Sequence, residues 1–483
     1  MIETDGVVAG IDVATAAVRV SIVTADGTVM STGSAPLPDP VRPGDGRSEQ
    51  DATTWWPAVR TALREATSAL PQRGREVRAV AVAATSGTIV SVDRAGRPVG
   101  PALMYDDRRA GKQNAIAQEA GRERWARLGL AVSPTAALGR IGWIAKQSYE
   151  HPVWRVLHTP DLIGWALTGA PVPADWSHAL KSGYDPRVGE WAGEAFEALG
   201  VDPDWLPPVS APTTPVGTVS AEAAAETGLP VGCELRLGMT DGCAGQLACG
   251  AVRPGQFVGV LGTTYVLKGV TEELVTDPTG ALYSHRHPDG WWLPGGASNT
   301  GGEALADIPA DRRASLDDAA AAAGPASVVS YPLRRDGERF PFISGQARGF
   351  TVGSPADEVE RHRAALEGVA FLERLGIDRV RSLGILVEPP MSAAGGGSRS
   401  PLWSRIRATV LGMPLRVAAN ADTAFGAALL AAAGSVHRDL AAASTAMVAA
   451  GDLVEPDPAE RDALERSYHR FVDSLAERGW IAR

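Results

Sequence analysis

Val7-Val8-Ala9-Gly10-Ile11-Asp12-Val13-Ala14-Thr15, followed by Val18-Arg19-Val20-Ser21-Ile22-Val23, is the stretch whose reading decides the fold. Two apolar runs of strand length flank a turn of small residues, the pattern of an antiparallel hairpin. Asp26-Gly27 then turns the chain into a further strand-like run. Asp12 closes the first run just ahead of the turn. It reads either as an ordinary turn aspartate or as a carboxylate for Mg²⁺ held through water, because magnesium sheds its hydration shell reluctantly. Lining up Thr15 with Thr263 lays Val13-Ala14-Thr15-Ala16-Ala17-Val18 over Leu261-Gly262-Thr263-Thr264-Tyr265-Val266. The repeat predicts two related halves divided near residue 245, with nucleotide between them.

The chain has 483 residues, more than one hydrophobic core usually serves, so two domains are expected. With 45% hydrophobic and 21% charged residues it reads as globular, and a net charge of −10 disfavours nucleic acid and anionic membranes as partners. An anionic substrate must then be held by local positive charge, backbone amides or metal. Cys233, Cys243 and Cys249 are too few for a disulfide framework and read as buried thiols in a reducing compartment. His285 and His287 form a His-x-His pair that lacks a third metal ligand nearby and reads as structural. Met1-Ile2-Glu3-Thr4-Asp5 carries acid where a secretory leader needs base, and no apolar run nears the roughly 20 residues of a membrane span. The cytoplasm is the expected location.

Beyond the hairpin, Thr53 to Leu70 has helical spacing, with Trp56, Val59, Leu63 and Ala66 on one face, and Val77 to Ala83 reads as a buried strand leading into Thr85-Ser86-Gly87-Thr88. The second half is richer in helix. Ser400-Pro401 has the form of a helix cap, Asp422 to Ala433 is an alanine-rich helix, and Asp457-Pro458-Ala459-Glu460 has the form of a capping box before an amphipathic stripe. Strands and helices in both halves give an α/β class.

Asp241 carries the most chemistry. Leu235-Arg236-Leu237-Gly238-Met239-Thr240 reads as a strand and turn, and Gly242-Cys243-Ala244-Gly245 as the opening of a helix. A carboxylate at that helix N-terminus either caps the helix or accepts a hydroxyl proton beside amides that face an anion. Gly262-Thr263-Thr264 offers amides and hydroxyls to phosphate, or simply turns a hairpin. Gly395-Gly396-Gly397, ahead of a helix, permits close backbone approach, or is a loose loop. The three glycine-and-acid clusters together suit phosphoryl transfer, which needs amides around oxygens, a carboxylate-held metal and one positioned base.

Over nearly its whole length the chain resembles the FGGY carbohydrate kinases of the actin and sugar-kinase superfamily. In the family's order stand Gly10-Ile11-Asp12 with Thr15, Glu49-Gln50-Asp51 with Trp55-Trp56, and Tyr105-Asp106-Asp107-Arg108-Arg109, with Tyr105 in place of the usual tryptophan. Leu167-Thr168-Gly169, Asp175-Trp176-Ser177-His178-Ala179, Asp241, Gly262-Thr263-Thr264, Arg363-Ala364-Ala365-Leu366-Glu367-Gly368, and Gly395-Gly396-Gly397 with Ser400-Pro401-Leu402-Trp403 follow. The resemblance implies two actin-like (ribonuclease H-like) domains with a nucleotide cleft between them. Residues 1–245 would bind sugar and carry the base, and residues 246–483 would bind ATP.

It further implies an ATP- and Mg²⁺-dependent kinase acting on the terminal hydroxyl of a small ketose. Asp241 would be the base. Ser86, Gly87, Thr88, Asp107 and Asp241 would contact sugar. Asp12, Ala14, Thr15, Arg19, Gly262, Thr263, Thr264, Gly395, Gly396, Gly397 and Ser400 would contact nucleotide, with Asp12 and Asp241 holding the metal through water. Thr85-Ser86-Gly87-Thr88, Ala179-Leu180-Lys181-Ser182-Gly183-Tyr184-Asp185 and Gly295-Gly296-Ala297-Ser298-Asn299-Thr300 are similar to D-ribulose kinases, whereas D-xylulose kinases usually carry Met-His-Gly at Ser86-Gly87-Thr88. D-Ribulose is the expected sugar, D-xylulose or another polyol the alternative, and a homodimer is compatible with the resemblance. Two departures stand out: Ala14 replaces a usual glycine and Arg19 a frequent lysine. They leave open a catalytically weak sugar or nucleotide sensor, against which the retained Asp241 argues.

Overall fold

The computed structural model describes residues 6–482, so the acidic N-terminus at residues 1–5 lies outside the described residues. The chain divides into two compact units. The first takes in the chain up to Ala248 together with His285–Gly290 and Asn420–Val448; the second takes in Cys249–Ser284, Trp291–Ala419 and the chain from Ala449.

The first unit is built on the hairpin. The Val7–Val13 strand pairs antiparallel with Ala17–Thr24, with Val13 opposite Val18, and Ala17–Thr24 pairs with Val29–Pro36. On its other side Val7–Val13 runs parallel to Val77–Ala84, which runs parallel to Glu234–Arg236, and Pro215–Thr218 closes that edge antiparallel. All seven residues of Val7–Val13 are buried, as a continuous apolar run between two covered faces should be. A Cβ on Gly10 would meet the Ala424 carbonyl oxygen of the Thr423–Ala432 helix at 1.9 Å, and one on Gly33 would meet the Ala62 carbonyl oxygen of the Trp55–Ser68 helix at 2.0 Å. Gly10 sits opposite Ser21, and Ser21 opposite Thr32, so Gly33 points to the other face. The two helices therefore cover opposite faces of one sheet.

That packing carries a segment from beyond the expected boundary at 245/246 into the first unit. Asn420–Val448 belongs with the first unit because the Thr423–Ala432 helix is apolar all round and needs the sheet face that Gly10 leaves open. The Trp55–Ser68 helix also differs in detail: Trp55 is the buried tryptophan, and Trp56 is half-buried with its indole N–H donated to Glu226.

The second unit repeats the plan. Phe257–Leu261 pairs antiparallel with Tyr265–Gly269 and parallel with Met391–Ala394. Met391–Ala394 in turn runs parallel to Leu415–Val417, and Leu453–Val454 forms an antiparallel strand beyond it. This run, hairpin then two parallel neighbours then an antiparallel strand, is the same as in the first unit. The 25-residue helix Glu358–Ser382 packs in a core that includes Tyr331, Phe340, Phe371 and Phe471.

The Ser400 cap forms as read: its hydroxyl accepts from the Trp403 N–H, and Pro401 opens the helix. The capping box at Asp457 does not. The Arg461–Glu477 helix has no side-chain cap, because Glu460 instead takes Arg363, a buried guanidinium that also binds Glu367. Among the described residues, no helix is long and apolar enough to cross a membrane.

Candidate functional site

In the first unit, the carboxyl ends of neighbouring parallel strands gather the candidate residues, the place where open α/β sheets commonly bind ligands. Asp12 sits beside Ala83 in the parallel ladder, and Ala84 bridges in parallel to Thr240. Thr85-Ser86-Gly87-Thr88 therefore leaves the sheet next to Asp241, the first residue of the Asp241–Ala248 helix. The Gly242 N–H donates to the Asp241 carboxylate at 2.6 Å, and Asp241 is only half-buried.

Asp12 is 4% exposed, and its carboxyl is pushed up to about 7. Burial is the main cause; the neighbouring charge of Asp241 adds to it, Arg19 opposes, and Asp422 adds again. Arg19 donates to one Asp12 oxygen at 3.3 Å, while the other, Oδ1, is buried without a hydrogen-bond partner. A buried orphan oxygen that feels the charges of both Asp241 and Asp422 is an opening that suits a hydrated dication. Among the described residues no cluster of three or more His, Cys, Asp or Glu side chains could hold a metal directly. Asp422, which the sequence shows only as the first residue of an alanine-rich helix, caps the Thr423–Ala432 helix.

The turn after Asp12 does not need glycine. Among the described residues the non-glycine residues at positive φ are Arg73 and Thr213, so Ala14 is unstrained there, and its N–H donates to the Ala17 carbonyl.

Two of the expected sugar-contact residues, Asp107 and Thr88, are buried and hydrogen-bonded within the protein. Asp107 is fully buried, and its oxygens accept the Ser48 N–H at 2.7 Å and the Arg109 backbone and guanidinium. It is thus enclosed as a clamp on Arg109. The Thr88 hydroxyl is 2.8 Å from that of Thr85, also buried. Ser86 differs: its hydroxyl oxygen is buried without a partner, on a residue that is itself partly exposed. Gly87 presents its carbonyl to Arg140 at 2.7 Å. Arg140 was not visible as a site residue. Fully buried, and pushed down to about 10 by that burial, it also donates to Leu103 and Met104, tying the Ser86 loop to the strand before Asp106.

The Asp175-Trp176-Ser177-His178 turn underlies both loops. Asp175 Oδ1 accepts the Ser177 hydroxyl at 2.5 Å, and Asp175 Oδ2 lies 2.5 Å from His178 Nδ1. His178 Nε2 faces the Ala84 carbonyl at 3.2 Å, and the Ser177 oxygen accepts the Thr240 N–H at 2.9 Å. Burial works against a charged His178, but Asp175 outweighs it and raises the imidazole; the same partnership lowers Asp175 against its own burial.

The second unit holds a cavity of about 520 Å³ that brings together Gly262, Thr263, Gly396, Gly397 and Ser400. Gly395 sits at φ +88°, where a Cβ would also strike the Leu261 carbonyl oxygen at 2.5 Å, so only glycine fits this approach. Asp317 and Arg313 also line the cavity. Burial opposes ionisation of Asp317, but hydrogen bonds from His362 and Ser400, each at 2.6 Å, hold its carboxyl below the usual range. Beneath the glycines, fully buried Arg407 clasps Glu373 at 2.6 and 2.8 Å and donates to Ser398 at 3.1 Å.

Residues 7–248 match the N-terminal domain, and residues 255–435 the C-terminal domain, of the FGGY family of carbohydrate kinases. A xylulose kinase of Streptomyces rubiginosus is 30% identical over 497 residues, 98% of each chain, and one of Escherichia coli K12 is 27% identical over 87% of this chain and 89% of that one. The crystal structure of xylulose kinase from Rhodospirillum rubrum superposes with a TM-score of 0.87 at 28% identity over 98% of each chain. Plasmodium falciparum glycerol kinase with ADP, 15% identical, has a TM-score of 0.84 over 97% of this chain and 98% of that one, a likeness of fold alone. With two α/β domains of the actin-like type and both family domains in order, this chain belongs to the FGGY family of carbohydrate kinases and is a sugar phosphotransferase.

Proposed function

We propose that the protein phosphorylates the terminal hydroxyl of a ketopentose with ATP. The observation that carries this reading is the half-buried Asp241 carboxylate beside the Ser86 loop, with buried Asp12 close enough to feel its charge. In this reading the first unit binds sugar and supplies the base, and the cavity of the second unit takes the nucleotide.

Asp241 accepts the proton of the sugar hydroxyl as its oxygen attacks the γ-phosphorus in line. The bond from that phosphorus to the ADP oxygen breaks, and the proton passes from Asp241 to solvent. The unpartnered Ser86 hydroxyl is the group free to bond a sugar hydroxyl, and a site that pairs with hydroxyls rejects sugars lacking them. Asp12, aided by Asp241 and Asp422, would hold hydrated Mg²⁺, which when bound neutralises phosphate charge.

D-Xylulose is the substrate favoured by the named relatives. D-Ribulose is a second reading, favoured by Ser86-Gly87-Thr88 where xylulose kinases usually carry Met-His-Gly. A coupled ADP-release assay across pentuloses, hexuloses, polyols and aldoses tests both. Both pentuloses should outrank glycerol and hexoses. A hexose or glycerol in first place would overturn the ketopentose reading. Asp241→Asn should lose about 10²–10⁴ in turnover, and retention of more than about a tenth would remove Asp241 as the base.

A further inference from the structure

His178 faces an acceptor at each ring nitrogen: the Asp175 carboxylate at Nδ1 and the Ala84 carbonyl at Nε2. A neutral ring has one N–H and would leave one of these contacts unmade, so the geometry calls for the imidazolium. Its charged surroundings agree. Asp175 lies on its own turn, Asp161 contributes a second negative field from the Thr159–Thr168 helix, and the His158 ring stands 5.8 Å away, itself held by Asp161 and Ser182. Asp175, Ser177 and His178 are 1%, 0% and 0% exposed, so this is an ion pair enclosed by protein and fixed in direction.

What the pair holds is specific. The Ser177 hydroxyl donates to Asp175, which leaves its oxygen lone pairs aimed at the Thr240 N–H, one residue before Asp241. His178 holds the Ala84 carbonyl, one residue before the Thr85–Thr88 loop. Ala84 and Thr240 are themselves the bridged pair at the ends of the two parallel strands. One buried turn thus grips the roots of both loops, neither by a side chain that reaches substrate.

We infer that Ser177, backed by the Asp175–His178 pair, is a positioning residue that sets the Asp241 carboxylate against the sugar hydroxyl presented at the Ser86 loop. This rests on Asp241 being the base. Catalysis by a positioned base is steep in distance: a displacement of about 1 Å can cost about 10²-fold in rate. The nucleotide cavity lies on the other unit and shares none of these bonds.

Ser177→Ala is measured on the full-length enzyme with ATP, Mg²⁺ and whichever pentulose the wild type turns over. The expected result is a fall in kcat of about 10- to 100-fold with the KM for ATP and the thermal midpoint close to wild type. Ser177→Thr, which restores the hydroxyl, should recover most of that kcat. A kcat for Ser177→Ala within about twofold of wild type, or a loss that Ser177→Thr leaves unrelieved while that variant melts normally, would overturn the inference. If Ser177→Ala does not accumulate as folded enzyme, Ser177→Cys, similar in volume and weaker as an acceptor, is judged by the same criterion. Asp241→Asn run alongside separates the two ideas: an active Asp241→Asn removes the base, whereas an inactive Asp241→Asn beside a fully active Ser177→Ala removes only the positioning role.

Discussion

The side-chain amide of Gln50 donates to the Thr15 carbonyl at 3.0 Å, inside the turn after Asp12, and to the Pro38 carbonyl at 2.6 Å. Its oxygen in turn accepts the Trp55 indole N–H at 2.8 Å, which fixes the amide orientation. The Glu-Gln-Asp and Trp-Trp segments, far from the turn in sequence, hold its shape from behind. The turn is thus braced by side chains and does not depend on a glycine within it.

Ala14→Gly should therefore weaken the protein and leave ATP use unchanged. Ala14 adopts no left-handed conformation, so glycine adds only freedom to the unfolded chain, about 0.4–1 kcal/mol. Urea melts and ATP kinetics on the one variant decide it; a lower KM for ATP without lost stability would show that the alanine strains the turn.

Asp12→Ala should raise the Mg²⁺ concentration needed for half-maximal turnover and lower kcat, with the sugar KM little changed. The Asp12 Oδ1 atom has no protein partner, which is the opening a hydrated cation would fill. Superimposable Mg²⁺ titrations for variant and wild type would exclude Asp12 from metal binding.

Arg407→Met should destabilise the second unit by about 3–5 kcal/mol, since it leaves Glu373 charged and buried alone. Adding Glu373→Leu should return much of that stability by removing the orphan charge. The KM for ATP should stay elevated in the double variant, because Ser398, just past the glycines, has still lost its guanidinium donor. Denaturant melts read the first effect and initial rates the second; recovery of both together would mean Ser398 does not matter to nucleotide.

Cys233 and Cys249 should resist alkylation in the native protein. Both are buried, and burial pushes each thiol up to about 12, so at pH 8 almost no thiolate exists to react. Mass spectrometry of peptides after iodoacetamide treatment should find them unmodified until denaturant is added. Labelling at pH 8 without denaturant would mean that these segments open readily.

Local pattern was enough for the parts of this protein whose physics is local. The Val7–Val23 hairpin follows from two apolar runs around a small turn, the Ser400 cap from a hydroxyl ahead of proline, and Asp241 from an acid placed between a strand and a helix. The hairpin read at Leu261–Val266 forms as the antiparallel pair of Phe257–Leu261 and Tyr265–Gly269. Tertiary structure decided what depends on partners distant in the chain. Asp457 to Glu460 has a capping pattern, yet a buried arginine almost a hundred residues earlier takes the glutamate, because a buried guanidinium N–H left without an acceptor costs more than an uncapped exposed helix end. Asp107 sits within a sugar-kinase motif, yet burial and Arg109 consume its oxygens. Asp422 reads only as the start of an alanine-rich helix until the fold sets its charge near Asp12. Ser177 and His178 read as parts of a motif, and only the folded chain places them under Thr240 and Ala84. Sequence names the groups able to do chemistry; which of them keep a free face is settled by burial and by the competition for hydrogen bonds once distant segments meet.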